Sequence, residues 1–174
     1  MVYYAWQYLG REIKRCEIEG GETFDFRILP NVGGDSFGQA LLQQYLVQEK
    51  PDILFVLCDI FMIPYIKGVE TAPTKFVMYF PSDGGAQLPT GYQNVTDKAD
   101  CLVAMSKFAK KQAENLGIKD VKYVPHGTDP NIYHPLDKVQ CKRKWSQILK
   151  VDLENNFVVG CVARFQGRKM MAEL

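Results

Sequence analysis

The chain has 174 residues, of which 47% are hydrophobic and 24% are charged, a composition ordinary for a globular protein with a sizeable core. Its 21 Lys and Arg residues against 20 Asp and Glu residues give a net charge of +1, which argues against nucleic acid as a partner. No apolar run could span a bilayer and no signal peptide pattern opens the chain, so we expect a cytoplasmic location. The five cysteines are widely spaced, which predicts reduced thiols instead of a disulfide frame or zinc site.

The first third of the chain predicts two helices around one strand. Apolar residues at helical spacing predict a helix over 2–16. Alternation over 24–29 predicts a strand. Asp35 or Ser36 can then cap a second helix, which Pro51 stops.

The rest of the chain alternates apolar strands with helical segments. The run Ile53–Cys58 is apolar throughout, which is typical of a strand buried on both faces of a parallel sheet. Helices are expected over 60–69, just before Asp100, and from the cap Ser106 to a glycine stop at Gly117. The pattern predicts an α/β fold with a doubly wound parallel sheet, whose remaining strands are at 74–80, 101–105, 121–124 and 157–163.

Ligands of such sheets bind beyond the carboxyl ends of the strands. Five places in this sequence follow a predicted strand and carry polar, glycine or charged residues. They are Asp59, the loop 81–85, Ser106, the stretch 125–129 and the residues after Ala163.

The stretch Val124-Pro125-His126-Gly127-Thr128-Asp129 admits several interpretations. It can be a strand end and a turn, with Gly127 at positive φ and Asp129 as a side-chain cap. It can also place His126 against a ligand at the sheet edge. Metal ligation by His126, Asp129 and His134 is a third alternative, although the three share no regular element at a ligand spacing.

Two further loops follow predicted strands. In Ser82-Asp83-Gly84-Gly85 the glycines would let a ligand approach the backbone and Asp83 could accept bonds from sugar hydroxyls, or the loop is a turn capped by Asp83. The cations Arg164, Arg168 and Lys169 precede an expected helix start at Met170, a geometry that suits a diphosphate. The alternative for these cations is a basic surface loop.

The segment 137–150 carries Lys138, Lys142, Arg143, Lys144 and Lys150 among Trp145, Ile148 and Leu149. It can be a helix that binds nucleic acid or a membrane, or a solvated amphipathic connector. The short and isolated basic cluster favours the connector.

Two motifs together resemble a known family. The first is Tyr123-Val124-Pro125-His126-Gly127-Thr128-Asp129 followed by Tyr133-His134-Pro135-Leu136, and the second is 157–169, which contains Ala163-Arg164 and Lys169. Both are similar to signatures of retaining glycosyltransferases of family 4, which have the two-Rossmann-domain GT-B fold. Ala104, Ser106 and Phe108 match a third, looser stretch of that family.

The resemblance implies an acceptor domain, a donor domain and a cleft between them. Residues 1–136 would form the acceptor-side Rossmann-like domain, 137–156 a linker with a basic helix, and 157–174 the first strand and loop of the donor domain. The implied activity is transfer of a sugar from a nucleotide-diphosphate sugar to an acceptor with retained anomeric configuration. No metal or other cofactor is implied, and the acceptor is a glycan, a lipid or a small molecule.

The resemblance also implies roles for individual residues. Asp83 and His126 fall at catalytic positions, and Arg164, Arg168 and Lys169 fall where the donor diphosphate is held. The residues expected to line the substrate cleft are Ser82, Gly84, Gly85, Ser106, Gly127 and Asp129.

The chain departs from the family at both ends. Met1 opens on a predicted helix where the family has a strand, and the donor domain stops after one strand. We therefore expect a fragment that is inactive alone and lacks the first strand of the sheet, with a homodimer or strand exchange as one consequence. Peripheral membrane contact is a further expected interaction. The rival hypotheses are a non-catalytic module that binds a sugar or a partner, and an unrelated flavodoxin-like domain.

Overall fold

The computed structural model describes residues 1–17, 23–24, 26–82, 88 and 91–170, except the side chains of Cys16, Glu17, Phe24 and Arg168. The chain divides into two compact units, Met1–His126 and Gly127–Leu174. The first unit holds the sheets and the hydrophobic core.

Four short strands open the first unit. They are β1 (Val2–Tyr4), β2 (Cys16–Glu17), β3 (Thr23–Phe24) and β4 (Arg27–Leu29). Strand β1 pairs with β4 in parallel, and β2 pairs with β3 in antiparallel fashion. The strand predicted over 24–29 is therefore split between two sheets.

The helix predicted over 2–16 is wrong, and so is the expectation that the chain opens without a strand. Val2–Tyr4 is made of a β-branched and two aromatic residues, which favour strands. The Ala5 N–H continues the pairing by donating to the Leu29 carbonyl at 3.0 Å, and the Tyr4 hydroxyl donates to the buried Asn31 amide oxygen. Long-range pairing with β4 thus overrides the local helical spacing.

Helix α1 (Gln39–Glu49) has Gly38 as its N-cap residue, and Asp35, one of the two expected caps, lies three residues before Gly38. The Asp35 carboxylate accepts hydrogen bonds from the backbone N–H groups of Phe37, Gly38 and Ala40 at 3.1, 2.9 and 2.8 Å. Gly38 adopts φ 77°, a left-handed conformation that favours glycine. The helix ends at Glu49, just before the predicted stop at Pro51.

We expect Asp35→Ala to lower the free energy of unfolding by about 0.5–2 kcal/mol at neutral pH, because orphan N–H groups lose their acceptor. Burial raises the pKa of Asp35, but the backbone hydrogen bonds outweigh it and hold the pKa below the ordinary value of 3.8. The contribution is therefore complete above pH 3.8 and is lost as the pH falls through the folded-state pKa. Urea denaturation at pH 7 and at pH 2–3 measures this difference.

Asp35→Asn is the matched control, because the amide keeps one acceptor oxygen and loses the charge. We expect it to cost less than Asp35→Ala. If Asp35→Ala lowers the free energy of unfolding by the same amount at both pH values, the carboxylate charge contributes nothing to stability.

The main sheet has four parallel strands, in the order β5 (Ile53–Leu57), β6 (Lys75–Phe80), β7 (Cys101–Ala104) and β8 (Lys122–Tyr123). Two short 3-10 turns, Ile60–Met62 and Pro64–Gly68, replace the helix expected over 60–69. The remaining helices, α2 (Gln93–Thr96) and α3 (Lys107–Asn115), lie close to their predicted positions.

The core lies on one face of this sheet. Phe76, Met78 and Phe80 of β6 are fully buried against residues of the helices and 3-10 turns. On the opposite face Ile53, Phe55 and Leu57 of β5 are 59%, 57% and 54% exposed. The predicted α/β class with a parallel sheet is confirmed, whereas burial of Ile53–Cys58 on both faces is wrong. Among the described residues the single core cluster covers one face, so a doubly wound arrangement is not seen there.

The second unit contains one regular helix, α4 (Lys138–Leu149), within its described residues. The Asp137 carboxylate caps it by accepting from the Gln140 N–H at 2.7 Å. The strand predicted over 157–163 does not form, and its side chains are exposed, Phe157 to 92%. A strand requires a neighbour for its backbone hydrogen bonds, and no described strand pairs with this segment.

Candidate functional site

The carboxyl ends of the four parallel strands meet at one edge of the main sheet. Backbone bonds tie the chain together there, from the Met105 N–H to the Phe80 carbonyl and from the Val124 N–H to the Ala104 carbonyl, both at 3.1 Å. The residues that follow the strands at this edge include Cys58, Asp59, Pro81, Ser82, Ser106 and His126. Asp59, Ser82, Ser106 and His126 thus follow parallel strands, as predicted, and their roles in a site stay predictions.

Both serines at the edge hold the fold together. The Ser82 hydroxyl donates to the Gln112 side-chain oxygen at 2.8 Å, which joins the chain after β6 to the buried side of α3. The Ser106 hydroxyl accepts from the Ala109 N–H at 3.0 Å and caps α3 as predicted. Each hydroxyl thus makes a structural hydrogen bond, and the substrate role that the sequence suggested for both serines stays a prediction.

His126 is exposed and belongs to a row of three aromatic rings. Its ring lies edge-on to the Tyr79 ring at 5.5 Å, and the Phe55 ring lies 6.0 Å from Tyr79 on the other side. The Tyr79 hydroxyl donates to the Val124 carbonyl at 3.0 Å and fixes the chain just before His126. An imidazole held in this way remains accessible to a ligand and can donate, accept or transfer a proton.

The sequence reasoning missed Tyr79 and Phe55 as neighbours of His126. Strand alternation could have identified them. Phe55 pairs with Val77, and Tyr79 lies two residues further along β6, so Phe55 and Tyr79 lie on the same face of the sheet. Three residues of the predicted site, Asp83, Gly84 and Gly85, lie outside the described residues.

Gly127 and Asp129 lie in the second unit, where Asp129 forms a turn. Its carboxylate accepts from the Asn131 N–H and its carbonyl from the Tyr133 N–H, both at 2.8 Å. Gly127 is not at positive φ, so that part of the turn interpretation is wrong. The described residues contain no group of three or more His, Cys, Asp or Glu side chains that could hold a metal ion.

The cations of the predicted diphosphate site lie at the end of the described part of the second unit. Arg164 lies in a segment without regular structure, and Lys169 ends a single 3-10 turn, Gly167–Lys169. Met170 adopts φ 49° and closes that turn where a helix start was expected. The side chain of Arg168 lies outside the described residues. Residues 171–174, over which the expected helix would continue, lie outside the described residues.

Cys58 also follows β5 at the carboxyl edge, but it is a poor nucleophile. Its side chain is buried, and burial, with a contribution from Asp59, raises the pKa of the thiol to about 12. The thiolate is the reactive form of cysteine. Cys58 therefore stays protonated at neutral pH and acts as a core residue.

A groove of about 600 Å³ lies at the opposite end of the sheet, around the start of β7 and the end of α3. Asp97, Asp100, Lys119 and Lys122 contribute to its walls. The Lys75 ammonium binds Asp100 at 2.8 Å and, as the leading cause, holds the pKa of that carboxyl below its ordinary value. This groove contains none of the site residues predicted from the sequence.

No match to this chain is found among protein-family models, curated proteins or solved structures. The likeness to family 4 glycosyltransferases consequently depends on the motifs at 123–136 and 157–169. No helix among the described residues is long and apolar enough to cross a membrane.

Proposed function

We propose that the chain is the acceptor-side part of a retaining glycosyltransferase that uses a nucleotide-diphosphate sugar. One observation carries the proposal. His126, in the stretch that resembles the family signature, is exposed at the carboxyl edge of a parallel sheet, where α/β proteins bind ligands. The Rossmann-like GT-B half-fold belongs to the same proposal, and the parallel α/β sheet supports it.

The chemistry of sugar transfer assigns different tasks to the candidate residues. The transition state resembles an oxocarbenium ion and the leaving group is a diphosphate, so positive charge near the phosphates lowers the barrier. Arg164 and Lys169 would supply that charge, with Arg164 able to bind two phosphate oxygens at once. His126 would orient an acceptor hydroxyl or transfer its proton. No step in this scheme requires a metal ion.

A non-catalytic module that binds a sugar or a partner is the second candidate. Two observations favour it: residues 157–163 form no strand, and the Ser82 and Ser106 hydroxyls both make structural bonds. The flavodoxin-like hypothesis predicts that 157–163 joins the main sheet, but among the described residues that sheet contains β5 to β8 and not this segment. That observation therefore gives the flavodoxin-like hypothesis no support.

A donor screen tests the proposal on a version of the protein that includes a complete donor domain, because the chain by itself is expected to be inactive. Calorimetry with a panel of nucleoside-diphosphate sugars should find one that binds, and NMR of the anomeric proton should show transfer with retained configuration once an acceptor is supplied. Binding of free sugars or glycans without any nucleoside diphosphate would favour the non-catalytic module. Absence of binding to every donor in the panel would contradict the glycosyltransferase.

A further inference from the structure

Helix α4 presents an apolar stripe to solvent. Cys141, Trp145 and Ile148 lie at positions i, i+4 and i+7, and Leu149 continues the same face. Trp145, Ile148 and Leu149 are 49%, 54% and 56% exposed, and no residue of the helix is fully buried. A helix of twelve residues with this much exposed apolar surface stabilises itself poorly in water and gains from a surface that covers the stripe.

The charges on α4 all have one sign. The helix carries Lys138, Lys142, Arg143 and Lys144 and no acidic residue. Helical spacing puts Lys142 beside Trp145 and Lys144 beside Ile148, so one lysine lies on each side of the stripe. Long lysine side chains at these positions can lay their stems along apolar material and keep the ammonium group in a polar layer.

The segment after α4 contacts one flank of the helix, which begins at the Lys142 border of the stripe. Arg143 pairs with Glu154 at 3.5 Å, and the Lys142 ammonium donates to the Asn156 carbonyl at 2.6 Å. The Ser146 hydroxyl accepts from the Leu153 N–H at 2.9 Å. These contacts place the segment after the helix against the flank next to Lys142, while Trp145 stays exposed. Lys142 keeps its charge, because its partner there is a neutral carbonyl.

We infer that α4 is an interfacial helix that binds the surface of a membrane containing anionic lipids. An apolar stripe with a tryptophan, bordered by lysines, matches both layers of a bilayer surface, the acyl boundary and the anionic headgroups. A nucleic acid would pair with the lysines and leave the apolar stripe in water, and the net charge of +1 gives the chain no wider basic surface. A protein partner would cover the stripe without needing cations on both of its borders.

Vesicle co-sedimentation of the full chain tests this inference. We expect binding to mixed phosphatidylglycerol–phosphatidylcholine vesicles, weaker binding to pure phosphatidylcholine vesicles, and a loss of affinity as salt is raised. Lys142→Gln combined with Lys144→Gln should lower the partition coefficient at least tenfold, since each cation contributes on the order of a fivefold factor. Trp145 fluorescence should shift to the blue on binding, and the shift should be absent in Trp145→Phe, which still binds.

Helix α3 supplies the matched control, because Lys107 and Lys111 are exposed lysines on a helix of the other unit. Lys107→Gln combined with Lys111→Gln removes the same charge and should leave vesicle binding unchanged. Circular dichroism of both double variants checks that they remain folded.

Four results would overturn the inference. The first is that the chain does not bind anionic vesicles, and the second is that the α3 double variant loses as much vesicle affinity as the α4 double variant. The third is a blue shift of Trp145 fluorescence, together with self-association, in the absence of lipid. The fourth is that the chain binds a DNA oligonucleotide as tightly as it binds vesicles, with the same dependence on the two lysines. The third result would assign the stripe to a second copy of the chain, and the fourth would assign the lysines to a polyanion.

Discussion

Replacing Phe76 by alanine is expected to lower the free energy of unfolding by about 3–5 kcal/mol. Phe76 is fully buried in β6, among the apolar residues that join the main sheet to its helices. Its removal loses the transfer free energy of the ring and leaves a cavity in the only core cluster of the described residues. Urea denaturation followed by circular dichroism should show a lower midpoint with little change in slope.

Phe55→Ala is the matched control, because it removes the same ring from the opposite face of the same sheet. Phe55 is 57% exposed and touches the Tyr79 ring. We expect a cost of about 1 kcal/mol or less, the usual contribution of one aromatic contact. Should Phe76→Ala not fold, Phe76→Leu gives a smaller loss on the same scale. Equal costs for Phe55→Ala and Phe76→Ala would contradict a core on one face.

The main strands could be predicted because their signals are local. Apolar runs between turn residues placed β5, β6 and β7 to within a residue or two of their observed bounds. Ser106 and Gly117 marked the two ends of α3 through chemistry that also lies within a few residues: the serine caps the helix, and the glycine adopts φ 81° just beyond it. Such features need no knowledge of the rest of the chain.

The failures concern segments whose state depends on distant partners. Residues 2–4 have helical spacing with the residues after them, yet they pair with β4 more than twenty residues away. The run 53–57 is uniformly apolar, but only packing decides which face is covered, and Ile53 and Leu57 stay exposed. The run 157–163 has strand composition and no described strand beside it. Sequence pattern alone does not determine these outcomes.

The same distinction between local signals and distant contacts applies to the candidate site. The topology of a parallel sheet was enough to predict that Ser82, Ser106 and His126 would lie at one edge. The aromatic neighbours of His126 were not predicted, because the contact of Phe55, Tyr79 and His126 requires the register between β5 and β6 and the path of the chain after β8. His126 could therefore be selected from the sequence by its residue type and its position in the motif. Its aromatic neighbours could be identified only from the structure.

Arg164→Ala is expected to weaken binding of a nucleoside diphosphate by about 1.5–3 kcal/mol, the usual strength of a hydrogen bond to a charged group. This corresponds to an increase in Kd of roughly 10- to 150-fold, because 1.4 kcal/mol is a factor of ten. Calorimetry on the version with a complete donor domain, using the donor found in the screen, measures this change in Kd. Arg143→Ala is the control, since Arg143 is an arginine of the same unit that pairs with Glu154 and belongs to neither signature.

Two outcomes of this comparison bear on the proposed function in different ways. An unchanged Kd in Arg164→Ala would remove the diphosphate assignment, and a donor that still bound would have to be held by other residues. An equal loss in Arg164→Ala and Arg143→Ala would indicate attraction by the net positive charge of the segment. A loss of affinity in Arg164→Ala but not in Arg143→Ala, reproduced by Lys169→Ala, would support the diphosphate-binding role that the resemblance implies for the second motif. The reason is that a fixed pair of cations discriminates between a diphosphate and diffuse negative charge.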